Sequence, residues 1–305
     1  MPSALSSLVV FGNPPVEGVA SGGYDNSVGP VCSYAGQSLL DNRSGYQPGQ
    51  SDTSPIYQWL NGGFYCTVDQ VPSAESAVNI AASQTPVAGT ALTLVTTSGG
   101  GVTVGATAVN RITGASVTGL LALDGVPGVV SFVANAFNSQ VMQAYDPTKA
   151  LSRNLRITSV GNDSGATFKV VGYDLYGTLM TETITGANAG IASGAKAWKF
   201  IKSITPSGTL SGSAVTVGTG DVYGFPLRAD SFFYQDIYWN GALITSNTGF
   251  TAAVTTSPAT SITGDVRGTY AVQSASDGTK HLYMFQNIPV ANIGTNVGVT
   301  GVAQA

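Results

Sequence analysis

From residue 76 onward, clusters of Gly, Asn, Ser and Pro interrupt this chain at roughly 8–14-residue intervals, the turn spacing of a sandwich or barrel. Between the turns, runs such as NLRITSV (154–160) and ATFKVVGYD (166–174) follow a two-residue apolar period. An extended strand sends successive side chains to opposite faces, so this period suits half-buried antiparallel strands. A helix needs apolar residues at 3.6-residue spacing over ten or more positions. Only FNSQVMQAY (137–145) and PTKALSRN (147–154) are helix candidates, and both are short. The expected fold is all-β: an antiparallel β-sandwich or jelly-roll-like region with little helix.

Further runs extend this reading. ALTLVTT (91–97), the turn SGGG and VTVGATAV (102–109) predict a hairpin, and VTGLLAL (117–123) and GVVSFVA (128–134) flank DGVPG as a second pair. TLMTETITG (178–186), AWKFIKSIT (197–205) and SAVTVGTG (213–220) read as strands. SFFYQDIYWNG (231–241) is an aromatic strand ending in an Asn-Gly turn, followed by ALITS and FTAAVTT. GTYAVQS (268–274), ASDGTK and HLYMFQNI (281–288) predict a last hairpin.

Residues 1–75 differ. GNPPVEGVASGG, NSVGP, GYQPGQSDTSP and NGG punctuate the segment, and no period persists. Tyr24, Tyr34, Tyr46, Tyr57, Trp59, Phe64 and Tyr65 make it too aromatic for a solvated linker. It reads as an extended irregular N-terminal arm or lobe lying on another surface. Residues 76–305 read as the β-sandwich region, either whole or divided into two subdomains near 145 or 230.

Composition narrows the function. Charged residues are 9% of the chain, with one histidine, His281, and two cysteines, Cys32 and Cys66. Most acid–base and nucleophilic catalysis draws on His, Cys, Lys, Asp and Glu, so no enzyme is expected. The net charge of -4 makes free nucleic acid a poor partner. The acids Glu17, Asp25, Asp41, Asp52, Asp69 and Glu75 face only Arg43 in residues 1–75. Residues 146–202 instead carry Lys149, Arg153, Arg156, Lys169, Lys196, Lys199 and Lys202. Such asymmetry suits oppositely charged neighbours as well as an ordinary solvated surface. The start MPSALSSLVVFGNPP lacks a basic leader, and no window reaches the roughly 20 apolar residues of a membrane span. A cytoplasmic origin implies reduced thiols, so Cys32 and Cys66 are expected as small buried residues rather than a bridge.

No candidate site residue is assigned to catalysis, cofactor or metal. SGGGVTVG (98–105) and VGTGDVYG (217–224) lack the following helix that a phosphate loop requires, and read as turns or bulges. Asp221, Asp230 and Asp236, near Tyr223, Tyr234, Tyr238 and Trp239, could suggest a glycosidase pair, but strand aromatics more often fill cores and interfaces. His281 reads as a surface or satisfied core histidine. Neither Asn162-Asp163 nor Ser276-Asp277-Gly278 supplies a calcium cage. Lys196, Lys199 and Lys202 should lie along apolar surface with charges outward, on a strand covered on both sides for part of its length.

The pieces GYDLYG (172–177), ETITG (182–186), KAWKFIKSITPSG (196–208) and VGTGDVYGFPLRAD (217–230) resemble a recurrent sequence among structural proteins encoded near the capsid genes of tailed bacteriophages. ASQTPVAGTALTLVTTSGGGVTV (82–104) is similar in character, and together they cover roughly half the chain. The resemblance implies a virion protein of the capsid exterior: a decoration, or cement, protein assembled in the host cytoplasm. Its implied partners are the major capsid protein and itself, as a dimer or trimer, with no membrane and no direct nucleic acid. The alternative is a tail, fibre-base or host-recognition component.

Overall fold

The computed structural model describes residues 33–34, 63–97, 100–109, 116–123, 131–134, 140–144, 151–256, 259–289 and 301–305. Among them the chain is all-β and antiparallel, and none forms an α-helix. In chain order the strands begin with β1 (Ser33–Tyr34), β2 (Gly63–Gln70), β3 (Ala81–Gln84), β4 (Val102–Val109) and β5 (Ser116–Leu123). A small hairpin follows, β6 (Ser131–Ala134) and β7 (Gln140–Ala144). The central block holds β8 (Arg153–Ser159), β9 (Ala166–Tyr173), β10 (Leu179–Thr185), β11 (Ile191–Ser193), β12 (Phe200–Gly208) and β13 (Val215–Gly224). The last strands are β14 (Gln235–Trp239), β15 (Ala242–Leu243), β16 (Phe250–Thr251), β17 (Thr269–Ala271) and β18 (Leu282–Pro289).

Among the described residues three larger sheets form, besides the two-stranded β6-β7 sheet. Their orders are β1-β2-β18-β14-β15, β10-β9-β12-β5-β4 and β11-β8-β13-β17-β16, with β3 also paired to β13. The second and third sheets form a sandwich. Phe168 and Val170 of β9, Met180 and Ile184 of β10 and Ile201 and Ile204 of β12 share one core with Leu155 and Ile157 of β8 and Val215 and Val217 of β13. The first sheet packs on the far end of the third. Val68, Ile237, Trp239, Leu282 and Met284 meet Tyr223 of β13 and Tyr270 of β17 in a second core. Strand β13 therefore contributes its first half to one core and its second half to the other.

Local sequence explains the clearest strands. The burial pattern along β9 alternates from Ala166 to Gly172, and β14 alternates throughout. The Asn-Gly turn forms between β14 and β15: Asn240 has φ 51° and Gly241 φ 85°, and Trp239 pairs with Ala242. Two positive φ values make the type I′ turn whose twist matches a hairpin. Asn tolerates that conformation better than Ala, so Asn240→Ala should lower stability by about 1 kcal/mol in urea unfolding. Strand β12 is covered on both faces near its start. Phe200 packs with Ala106, Leu120 and Ala122, while Ile201 faces the sandwich core.

Several pairings differ from the sequence expectation. ALTLVTT (91–97) forms no strand. Its amides bond singly: Leu92 N–H to Ile204 O, Thr93 N–H to Gln84 Oε1 and Val95 N–H to Ile80 O. The Gln84 side chain also donates to Thr93 O, standing in for a strand neighbour. Strand β4 pairs instead with β5. Strand β5 goes on to β12, and β6 pairs with β7, so the expected 117–123/128–134 hairpin does not form. The helix candidate 137–145 contains β7, where Met142 sits opposite Phe132 and Val141 opposite Val133; so short an apolar run cannot separate the two periods. In the other candidate, 147–154, the described residues 151–154 run extended into β8. Strands β17 and β18 do not pair either, because β17 joins β13 and β18 lies between β2 and β14.

The expected irregular arm lies largely outside the described residues. Its last part differs, because β2 is a full strand paired with β18 along its length, Gly63 opposite Pro289 through to Gln70 opposite Leu282. No described helix is long and apolar enough to cross a membrane.

Candidate interaction surface

The aspartates and most of the aromatics singled out in the sequence have described positions. Asp221 is a structural anion: Arg153 Nη2 donates to it at 2.8 Å, Tyr223 Oη at 3.0 Å and the Ser276 amide at 2.8 Å. Asp230 binds the Arg228 guanidinium through both oxygens. Asp236 is exposed on β14. The three thus serve separate surroundings and form no facing pair. Tyr223 is buried under Arg153, whose guanidinium carbon lies 5.2 Å from the ring centre. Trp239 is buried and donates its indole N–H to Ser274 Oγ at 2.9 Å. The side chain of Tyr234 falls outside the described residues, as does that of Cys66 on β2, and so does Cys32.

Of the first glycine motif, Gly100 and Gly101 lie in the turn that enters β4, and of the second, Val217–Gly224 lies within β13. Gly105 (φ 79°) sits at a register shift in β4. Within β13, Gly218 and Gly220 allow close approach of other backbone and of Asn154. Among the described residues, no group of three or more His, Cys, Asp and Glu could hold a metal ion. A shallow groove of about 470 Å³ between β3 and residues 93–97 is lined by residues such as Gln84, Thr93, Leu94 and Thr97.

The lysines correct an expectation. Lys202 is exposed, but Lys196 and Lys199 are 0% and 1% exposed, so their charges do not reach outward. Residues 195–198 are gripped by two buried carboxylates. Glu182 accepts from the Lys196 amide at 2.9 Å and from the Trp198 indole at 3.0 Å. Asp265 accepts from the Ala197 amide at 2.9 Å and the Arg267 amide at 2.8 Å. Sequence patterns miss such groups, because a charged residue in an alternating run reads as outward-facing.

The most distinctive surface lies on the first sheet. Ile237, Trp239, Leu282, Met284, Gln286 and Val68 point inward. Alternation turns Asp236, Tyr238, Tyr283, Phe285 and Asp69 to the opposite face. Tyr238 sits directly across from Tyr283, Tyr283 from Asp69, and Phe285 from Asp236. The Tyr238 and Tyr283 rings meet edge to face at 5.8 Å. Leu243, 46% exposed, continues the patch opposite Tyr238. Partial burial, then the negative charge of Asp69, raises the Tyr283 hydroxyl above its ordinary range. His281, half exposed beside this face, contacts Asp69 at 2.5 Å. The face therefore offers fixed aromatic rings bordered by carboxylates.

Comparison of the chain with protein-family models, with curated proteins and with solved structures gave no match.

Proposed function

We propose that this chain is a virion structural protein that binds the outer surface of a phage capsid shell and stabilises it, as a decoration or cement protein. The observation that carries this reading is the Tyr238–Tyr283–Phe285 face, held rigidly on a sheet whose other side is core. Aromatic rings with few rotatable bonds anchor protein interfaces at low entropic cost. The sequence resemblance supplies the virion setting, with the major capsid protein and further copies of this chain as partners. Internal pairing supports it too. Arg153, Arg228 and Arg267 are buried against Asp221, Asp230 and Asp174, which stiffens the body and leaves a charge-poor exterior suited to close packing.

The second reading, a tail or host-recognition component, is favoured by Asp69 and Asp236 beside the rings, since carboxylates next to aromatics also suit sugar hydroxyls. Copy number relative to the major capsid protein in purified particles separates the two. Decoration predicts hundreds of copies, and a tail or connector position about 6 or 12, as closed ring symmetry requires. Heads lacking the protein should still assemble but release DNA at a lower temperature than complete heads. Depleted heads that keep full heat stability yet fail to adsorb to host cells would replace the decoration reading with host recognition.

A further inference from the structure

Strand β10 is an outer strand of the second sheet, yet its free edge is covered. Thr183 N–H donates to Ser261 O at 2.6 Å, and Thr181 N–H to Ala305 O at 2.6 Å. The two covers are held differently. Ser261 belongs to a turn closed on itself, with Thr260 N–H donating to Thr263 Oγ1 at 3.0 Å and Thr263 N–H to Thr260 O at 3.2 Å. Residues 301–305 are held by what they touch on the body. Val302 is 4% exposed and packs on Ala259 and Val266. Ala303 O accepts from the Ala259 amide at 3.4 Å, and Gln304 Nε2 donates to Asp174 Oδ2 at 3.2 Å. Thr181 Oγ1 also donates to Ala305 O, at 2.7 Å.

This seat is selective, but its grip is light. Gly301 has φ 86°, and a Cβ there would lie 2.1 Å from Val266 O, so the position demands glycine. Val302 fills a small apolar site, and Gln304 brings an amide donor to the buried Arg267–Asp174 ion pair. Against this, Val302 is the one buried residue of the segment, and the buried Gln304 Oε1 has no donor. A segment with little buried apolar area and an unsatisfied acceptor opens more readily than the fold beneath it.

From this combination we propose that copies of the chain associate by exchanging residues 301–305, each segment seating on strand β10 of a second copy. An occupant of the seat must present glycine, a small apolar side chain and an amide donor in the order of this segment. A second copy's segment meets every one of these demands with the contacts already described, so exchange creates no new strained or unpaired group. Swapping an identical element is a low-cost route to association. Residues 290–300 join the segment to β18 and span at most about 40 Å when extended, which limits how far apart exchanging copies can stand. Dilution favours the chain's own segment, and crowding of copies favours exchange by mass action. The exchange rests on the seat alone and is independent of where the protein works.

Mixing two full-length variants tests this, both carrying Cys32→Ser and Cys66→Ser to remove the native thiols. One adds Thr181→Cys and the other Ala305→Cys, positions that the Thr181–Ala305 hydrogen bonds hold together. A short bis-maleimide should then give a heterodimer, identified by intact mass, in a yield that rises with protein concentration. Adding Gly301→Val to the Ala305→Cys chain should abolish it, because the added side chain cannot approach Val266 O. A single chain carrying both Thr181→Cys and Ala305→Cys should cross-link internally at high dilution. If that chain closes on itself while the mixture gives no heterodimer at any concentration, the segment stays at home and the proposal is overturned. Equal heterodimer yield with Gly301→Val overturns it too, since the cross-link then records random collision. Failure of the doubly substituted chain to cross-link removes the seat, and the proposal with it.

Discussion

Replacing Arg153 with methionine should lower the unfolding free energy by about 3–5 kcal/mol, read as a shifted urea midpoint with an unchanged slope. Arg153 is fully buried, yet nothing about it is uncompensated. Its Nε donates to Gly220 O at 2.8 Å, Nη1 to Ser73 O at 3.0 Å, and Nη2 to Asp221 at 2.8 Å. Tyr223 lies against the guanidinium. Methionine fills much of the space but leaves Asp221 with only neutral donors in a site 13% exposed. Removing one partner of a buried pair strands the other charge, and that penalty exceeds the net worth of the pair. The double replacement Arg153→Met with Asp221→Leu should therefore recover part of the loss. A double as unstable as the sum of the two single variants would show that the arginine acts through packing alone.

Gly218→Ala should be still more damaging, by about 4 kcal/mol or more, to the point of insoluble expression. A Cβ at this position would lie 1.9 Å from Ser76 O and 2.6 Å from its carbonyl carbon. The obstacle is backbone, and it is held in place by Ser76 N–H to Thr219 O and Ile80 N–H to Val217 O. The matched control is Gly212→Ala. Gly212 has φ 79°, but an added methyl there would meet nothing within 4 Å, so its penalty is conformational only, about 1–2 kcal/mol. If the two variants unfold at the same urea concentration, the close approach of residues 76–77 to β13 is wrong.

Those two sites mark the boundary of what the sequence discloses. The strands of the central block are directly legible: the runs at 154–160, 166–174 and 178–186 correspond to β8, β9 and β10 to within a residue or two. Alternation reports which side of a strand is buried. It does not report which sheet buries it. Strands β8 and β9 are joined by a short turn yet lie in opposite sheets, and β17 and β18 part company in the same way. A turn signal marks a change of direction and is silent about the partner. Strand β2 shows the opposite failure. Phe64, Cys66 and Val68 alternate with Tyr65, Thr67 and Asp69, but the run follows dense Gly and Pro punctuation and is lost in it. Of the interaction face, SFFYQDIYW and HLYMF both stand out as aromatic runs. Only the ladder, with Tyr238 opposite Tyr283 and Asp69 beyond it, makes one surface of them. The buried ions leave little local trace, because Arg153 is satisfied by Ser73, Gly220 and Asp221 and Asp265 takes the Ala197 amide, all far away in the chain.

Strand β13 links the two cores. Val215 and Val217 belong to the sandwich core, and Tyr223 to the core beneath the aromatic sheet. Neither core can melt while the other keeps this strand in place without tearing a ladder that both depend on. The two cores should consequently unfold together in a single urea transition, with β13 as their shared spine. Amides in the middle of β13 should exchange with solvent only through global opening, and a chain cut between the cores would leave each fragment with half of its neighbour's strand.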